Sequence, residues 1–248
     1  MIFTVRLGEG MRAKSAAIFV DGNPEVSGAR TGCRFEETTG VRTMFEQVHD
    51  YLGQLIPERP MVLREMEQYA NEKSFPIVGP LVGRFLYQIV LMTKARRILE
   101  LGSGFGYSAF WFSLAAGSKG HITLTDRDKS NKALAFDYFK RAGLQSQFVF
   151  KVGDALKLAR RIDGPFDIVL NDIDKQQYPD SLDLAASKLK RGGLFITDNL
   201  IWSGKVCDKK RDDTTNAIIE FTEKLYQDTR FFTTIMPIRD GISISVRL

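Results

Sequence analysis

Ile98-Leu99-Glu100-Leu101-Gly102-Ser103-Gly104-Phe105-Gly106-Tyr107-Ser108 is the stretch that decides how this chain is read. An apolar run reaches an acid, turns through three glycines and opens into the helical pattern of residues 107 to 116. Strand, tight turn and helix form the first unit of a nucleotide-binding α/β sheet. The spacing says more than the glycines themselves. A dinucleotide fingerprint, G-x-G-x-x-G, brings backbone close to a pyrophosphate. Here the order is E-x-G-x-G-x-G, with the third glycine one residue early and Glu100 two residues before the first. A carboxylate repels a pyrophosphate and attracts a cation. S-adenosylmethionine carries a sulfonium and an ammonium and no phosphate, so the turn, with Gly102 and Gly104, predicts it as the ligand.

Two further strand ends extend this half of the site. Asp126 closes the run His121-Ile122-Thr123-Leu124-Thr125, twenty residues past Gly106, where an acid can accept both ribose hydroxyls of an adenosine. The same acid could instead cap the helix that starts near 129. Gly153-Asp154-Ala155 ends the next strand, placing Asp154 and Ala155 where a loop would face the adenine.

The other half carries charge. Phe166-Asp167-Ile168-Val169-Leu170-Asn171-Asp172-Ile173-Asp174-Lys175 is a strand ending in acids and a lysine, and Gly193-Leu194-Phe195-Ile196-Thr197-Asp198-Asn199 is the next. As neighbours, these strands bring Asp172, Asp198 and Asn199 to one edge of the sheet. Hard oxygen donors without histidine or thiol suit Mg²⁺ first, with Mn²⁺ or Ca²⁺ as fits, and not zinc. Taken singly, each acid also reads as a helix cap or a solvated loop residue.

Around these motifs the chain is ordinary for a globular protein. At 248 residues it can bury one large α/β core, and with 44% hydrophobic residues it has no run near the length of a membrane span. Cys33 and Cys207 sit in unrelated contexts, and Ala16 to Val20 is too short for a signal-peptide core, so a cytoplasmic location is expected. Residues 1 to 38 read as a flexible arm before a single domain over 39–248. Val41, Phe45, Val48, Leu52 and Leu55 predict a helix, broken at Pro57 and Pro60 before a second with Leu63, Met66 and Ala70 on one face. A loop at 74–80 precedes a third with Phe85, Leu86, Ile89 and Val90. Strands are expected at 97–102, 121–126, 147–152, 166–172 and 193–198, with helices near 107–116, 129–142, 154–161 and 177–190. A helix near 212–228 then leads to runs at 231–237 and 242–247. These are joined so briefly, through Asp240-Gly241, that they must pair antiparallel. The expected fold is a seven-stranded, mostly parallel Rossmann-like sheet with helices on both faces.

Glu100 to Ser108, Asp172-Ile173-Asp174-Lys175 and Asp198-Asn199-Leu200-Ile201-Trp202 together resemble the metal-dependent O-methyltransferases, the group of catechol and caffeoyl-coenzyme A enzymes, over about residues 41 to 248. The resemblance implies cofactor contacts at Val78, Glu100, Gly102, Ser103, Ser108, Asp126, Ala155 and Asp174. It implies metal ligation by Asp172, Asp198 and Asn199, a base at Lys175, and a substrate contact at Ser203, just after Trp202. It also implies a homodimer. Leu81-Val82 stands where the family often has an acidic pair, and the plant enzymes' insertion for bulky esters is not evident. These departures bear on the acceptor and not on the chemistry.

The reaction so implied is methyl transfer to a metal-held hydroxyl of a small catechol-type phenol. Lysine acts as a base only as the neutral amine, a form that burial and a nearby cation favour; a surface lysine opening the next helix is the plain alternative. A second reading is methylation of a hydroxyuridine in tRNA, because Asp50-Tyr51-Leu52, Arg59-Pro60 and Glu67-Gln68-Tyr69-Ala70 resemble bacterial relatives with that activity. The net charge of +5 is compatible, and Lys188, Lys190, Arg191, Lys205, Lys209, Lys210 and Arg211 would form a basic rim. Solvated surface charge also accounts for them. A binding protein with a degenerate site fits badly, since every expected ligand position is present.

Overall fold

Alternation along the strands determines the architecture of the computed structural model, which describes residues 44–145 and 147–248. In β1 (Arg97–Leu101), Ile98 packs into one apolar cluster while Leu99 and Leu101 pack into another. A strand with apolar residues on both faces needs helices on both. One layer is α2 (Met61–Glu72), α3 (Gly79–Thr93), α4 (Tyr107–Ala116) and α5 (Lys129–Arg141), whose Met66, Leu86, Phe112 and Phe139 are buried with Ile98. The other is α6 (Ala155–Arg160), α7 (Tyr178–Lys188) and α8 (Asp213–Gln227), whose Leu156, Leu182 and Phe221 are buried with Leu99.

The remaining strands are β2 (His121–Asp126), β3 (Phe148–Val152), β4 (Phe166–Asn171), β5 (Leu189–Thr197), β6 (Phe231–Met236) and β7 (Ile242–Arg247). They form one seven-stranded sheet in the order β3-β2-β1-β4-β5-β7-β6. The first five pair parallel, and β7 runs against both β5 and β6, as the short Asp240-Gly241 link requires. Because β7 inserts between β5 and β6, the turn joining the last two strands returns beside the end of β5. The strand order reverses direction between β1 and β4, the switch point at which open α/β sheets place their ligands.

Two boundaries differ from the sequence reading by more than one residue. Strand β5 starts at Leu189 and not 193, and α7 stops at Lys188 instead of running to 190. The register explains it: Phe166 pairs with Leu189 but Ile168 with Leu194, so Lys190-Arg191-Gly192-Gly193 bulges out before regular pairing resumes. The first helix, α1 (Met44–Gln54), carries the expected periodicity, yet none of its residues is buried, and Phe45, Val48, Leu52 and Leu55 are exposed. Val41 and the proposed arm over 1–38 lie outside the described residues. Among those described, no helix is long and apolar enough to cross a membrane.

Candidate active site

Main chain builds the first half of the site. Gly102, Gly104 and Gly106 all have positive φ, at +79°, +52° and +88°. Gly102 is fixed by contact as well as conformation, since a Cβ there would lie 2.4 Å from the carbonyl oxygen of Asp172. The turn is tied to the next strand through the N–H groups of Gly102 and Ser103, which donate to the Thr125 carbonyl at 3.1 and 2.9 Å. Above it sits Phe75, whose ring a Cβ on Gly104 would touch at 2.9 Å.

Asp126 is already engaged. Its Oδ2 accepts the Gly104 N–H at 3.0 Å, and its Oδ1 accepts from the Asp128 N–H at 2.8 Å and from Asn131 Nδ2 at 3.0 Å. A carboxylate has about four acceptor sites, so three of those of Asp126 are occupied within the protein. The cap of α5 is Asp128, which accepts the Ser130 N–H at 2.7 Å, so the capping alternative for Asp126 falls.

Glu100 is placed differently from the expectation that it faces the ligand. Being two residues on from Ile98, it points to the same side of the sheet, toward α4. There its carboxyl accepts a hydrogen bond from Ser108, at 1% exposure. Burial pushes its pKa up to about 8, against the Ser108 hydroxyl, which favours the ionised form. Ser108 lines the cavity; Glu100 lies behind it.

Side chains build the second half. Strands β4 and β5 pair Asn171 with Thr197, so the next residues, Asp172 and Asp198, leave the sheet side by side. Lys175 Nζ lies 2.8 Å from Asp172 Oδ1, with only 12% of its side chain exposed, so the surface-lysine alternative falls. Arg239, from the β6–β7 turn, places Nη1 3.4 Å from Asp198 Oδ2. Burial raises the pKa of Asp172 despite the Lys175 ammonium. Burial, and then the like charge of Asp172, push Asp198 up to about 7 against the opposing pull of Arg239. Asn199 has a left-handed φ of +62°, and its Nδ2 donates to Asp240 Oδ2 at 3.3 Å.

Both halves open into one cavity of about 920 Å³. Of the residues singled out from sequence, Val78, Gly102, Ser103, Gly104, Ser108, Asp126, Ala155, Asp172, Asp174, Lys175, Asp198, Asn199 and Trp202 line it. Glu100, Asp154 and Ser203 do not. Asp154 caps α6, accepting the Lys157 N–H at 2.9 Å. Ser203 is exposed, its backbone N–H turned to Asp240 Oδ1. The expected basic rim is divided, with Lys205 beside the cavity, its Nζ 5.7 Å from the Trp202 ring, and Lys188 and Lys190 turned away from it. Lys188 Nζ donates to the carbonyls of Arg160 and Ile162, and Lys190 pairs with Asp167, at the start of β5 and so at the opposite end from Asp198.

A model of O-methyltransferases matches residues 57–248, most of the chain. The chain belongs to this O-methyltransferase family. Among its relatives, a catechol O-methyltransferase of Niastella koreensis is 28% identical over 82% of this chain and 97% of its own. A caffeoyl-CoA O-methyltransferase of Stellaria longipes is 27% identical over 82% of this chain and 91% of its own. The crystal structure of an O-methyltransferase from Bacillus cereus in complex with SAH is 26% identical. It covers 83% of this chain and all of that one, with a TM-score of 0.75.

This O-methyltransferase also has cavity residues that the sequence did not single out: Phe75, Tyr107, Arg127, Gln177, Arg239 and Asp240. Tyr107 is anchored from behind, its hydroxyl donating to Glu67 at 2.8 Å, and Arg59 grips the same carboxylate through Nε and Nη2. Arg127 Nη1 reaches Asp174 at 2.6 Å and its Nη2 reaches Gln177 at 2.9 Å, bridging the ends of β2 and β4. The Arg239-Asp240 pair was readable only as a turn.

Proposed function

We propose that this chain transfers the methyl group of S-adenosylmethionine to one hydroxyl of a small catechol-type phenol held on a divalent cation. One observation carries the reading: two acids leaving adjacent parallel strands share a cavity with a glycine turn shaped for an adenosyl group. Val78, Gly102, Ser103, Gly104, Ser108 and Ala155 would surround the donor, Asp126 would accept a ribose hydroxyl, and Asp174 would flank the adenine.

The residues fit a hard cation. Asp198 Oδ1 is buried and accepts no hydrogen bond among the described residues, an arrangement that costs stability unless something occupies it. The donor set is two acids and an amide, and among the described residues no three His, Cys, Asp or Glu side chains gather into a metal cluster. Oxygen-only donation of this kind suits Mg²⁺. When bound, the cation would act as a Lewis acid, holding neighbouring hydroxyls and easing loss of a proton from one. Once Asp172 is engaged elsewhere, Lys175 would release its own ammonium proton to solvent and, as the neutral amine, take the phenolic proton at Nζ. Trp202, whose ring lies 5.9 Å from Lys175 Nζ, would wall the acceptor side. Much of the acceleration would come from alignment of oxygen and methyl group.

The test is methylation with labelled S-adenosylmethionine of catechols, matched monophenols and total tRNA, with Mg²⁺ or with chelator. Label on catechols alone, lost with chelator, is expected. Equal labelling of monophenols, activity that survives chelation, or label confined to tRNA would each overturn the reading.

A further inference from the structure

Arg239 has no part in the chemistry above, yet it occupies a decisive place. It stands in the β6–β7 turn with a left-handed φ of +52°, lines the cavity, and forms the side-chain ion pair of Asp198. Asp198 is 1% exposed, a degree of burial at which a carboxylate is strongly disfavoured without a countercharge. The contact is loose: 3.4 Å through one nitrogen, not the paired short bonds of a guanidinium fork, and a third of the Arg239 side chain is open. The adjoining Asp240 holds Asn199 through its Nδ2. A single turn therefore touches two of the three oxygen donors assigned to the cation.

We propose that Arg239 is the built-in counter-ion of the cation site, neutralising Asp198 while the cation is absent and giving it up when the cation binds. This rests on the cation reading above. A guanidinium on Asp198 Oδ2 and a divalent cation on Oδ1 would stand only a few ångströms apart in a buried site and repel each other, so occupancy is an exchange. The long side chain has the cavity to swing into. Cation loading then carries a fixed electrostatic cost, and the empty site is protected from repulsion between Asp172 and Asp198.

Calorimetric titration of the full chain with Mn²⁺, without donor or acceptor, tests the exchange in wild type, Arg239→Gln, Arg239→Gly, Arg239→Lys and Asp198→Asn. Both neutral variants should bind Mn²⁺ about tenfold tighter than wild type. The Lys variant should stay near wild type, and Asp198→Asn should lose binding. Arg239→Gly also relieves the left-handed backbone, so it remains informative if the Gln variant folds poorly. A gain in affinity is not a consequence of structural damage. In chelator, Arg239→Gln should melt below wild type and be stabilised more by added Mn²⁺. Neutral variants that bind no tighter than a Mn²⁺-binding wild type would overturn the counter-ion role and leave the cation reading standing. No Mn²⁺ binding by wild type or by either neutral variant would overturn both.

Discussion

Around the glycine turn the cavity wall is main chain: positive-φ glycines, N–H groups bonded to Thr125, and an aspartate already held by three donors. Across the switch point the wall is charged side chain: Asp172 against Lys175, Asp198 against Arg239, Asn199 against Asp240. The first half is set by folding, because its main-chain N–H groups and Asp126 have partners within the protein. The second is balanced but incomplete, with a buried carboxylate oxygen lacking a hydrogen bond among the described residues and two acids raised in pKa by burial. A wall of backbone positions a ligand; a wall of loosely paired charge is one that can change partners.

If the halves are separable in this way, removing one charge should stop chemistry without loosening the donor. Asp172→Ala should lower turnover at least ~10³-fold, as loss of a Lewis-acid site does, while S-adenosylmethionine affinity stays within about threefold. Steady-state kinetics on a catechol and calorimetry of donor binding would check this. A parallel collapse of both quantities would mean that the halves are one unit.

Gly102 is where the two halves touch, because the obstacle to a side chain there is the carbonyl of Asp172 itself. Gly102→Ala should cost about 2–4 kcal/mol through the backbone conformation and the overlap. It should also weaken Mn²⁺ and donor binding together, unlike Asp172→Ala. Denaturant unfolding with paired calorimetry measures both effects; an unchanged Mn²⁺ affinity would place the boundary elsewhere.

Burial behind the glycine turn should leave a pH signature. The folded-state pKa of Glu100, about 8, lies above its ordinary 4.5, so in this range the folded state holds a proton that the unfolded state has lost. Its contribution is full below 4.5 and is lost as pH rises through 8, at a slope of at most about 1.4 kcal/mol per pH unit. Glu100→Gln should flatten that slope in unfolding measured from pH 5 to 9. An unchanged profile would show that Glu100 is ionised in the fold.

These contrasts also explain what the sequence revealed. Main-chain architecture leaves local marks, so the glycine turn, the strands after it and the paired strand ends at Asp172 and Asp198 were all readable from spacing. Polar residues at strand ends are ambiguous, because Asp154 as a helix cap looks like Asp154 as a ligand contact until the partner of its carboxylate is seen. Glu100 misled for a related reason: proximity to the turn in sequence hid the alternation that turns it toward α4. Arg239 and Asp240 were beyond local reading, since only the insertion of β7 between β5 and β6 brings them to Asp198 and Asn199. The boundary at Leu189 was lost in a bulge that interrupts the strand period.

The smallest effect is expected where side chains cross the main-chain half. Arg127 ties Asp174 to Gln177 over the donor end of the cavity, but Arg127 and Asp174 are each more than half exposed. Water screens such a pair, and exposed ion pairs contribute about 0.2–1 kcal/mol. Arg127→Ala should therefore weaken S-adenosylmethionine binding by no more than about fivefold, leave Mn²⁺ affinity alone and lose most of its effect in high salt. Calorimetry at two ionic strengths separates the outcomes. A salt-independent loss much larger than this would mean that Arg127 touches the donor itself, and that the first half also depends on charge.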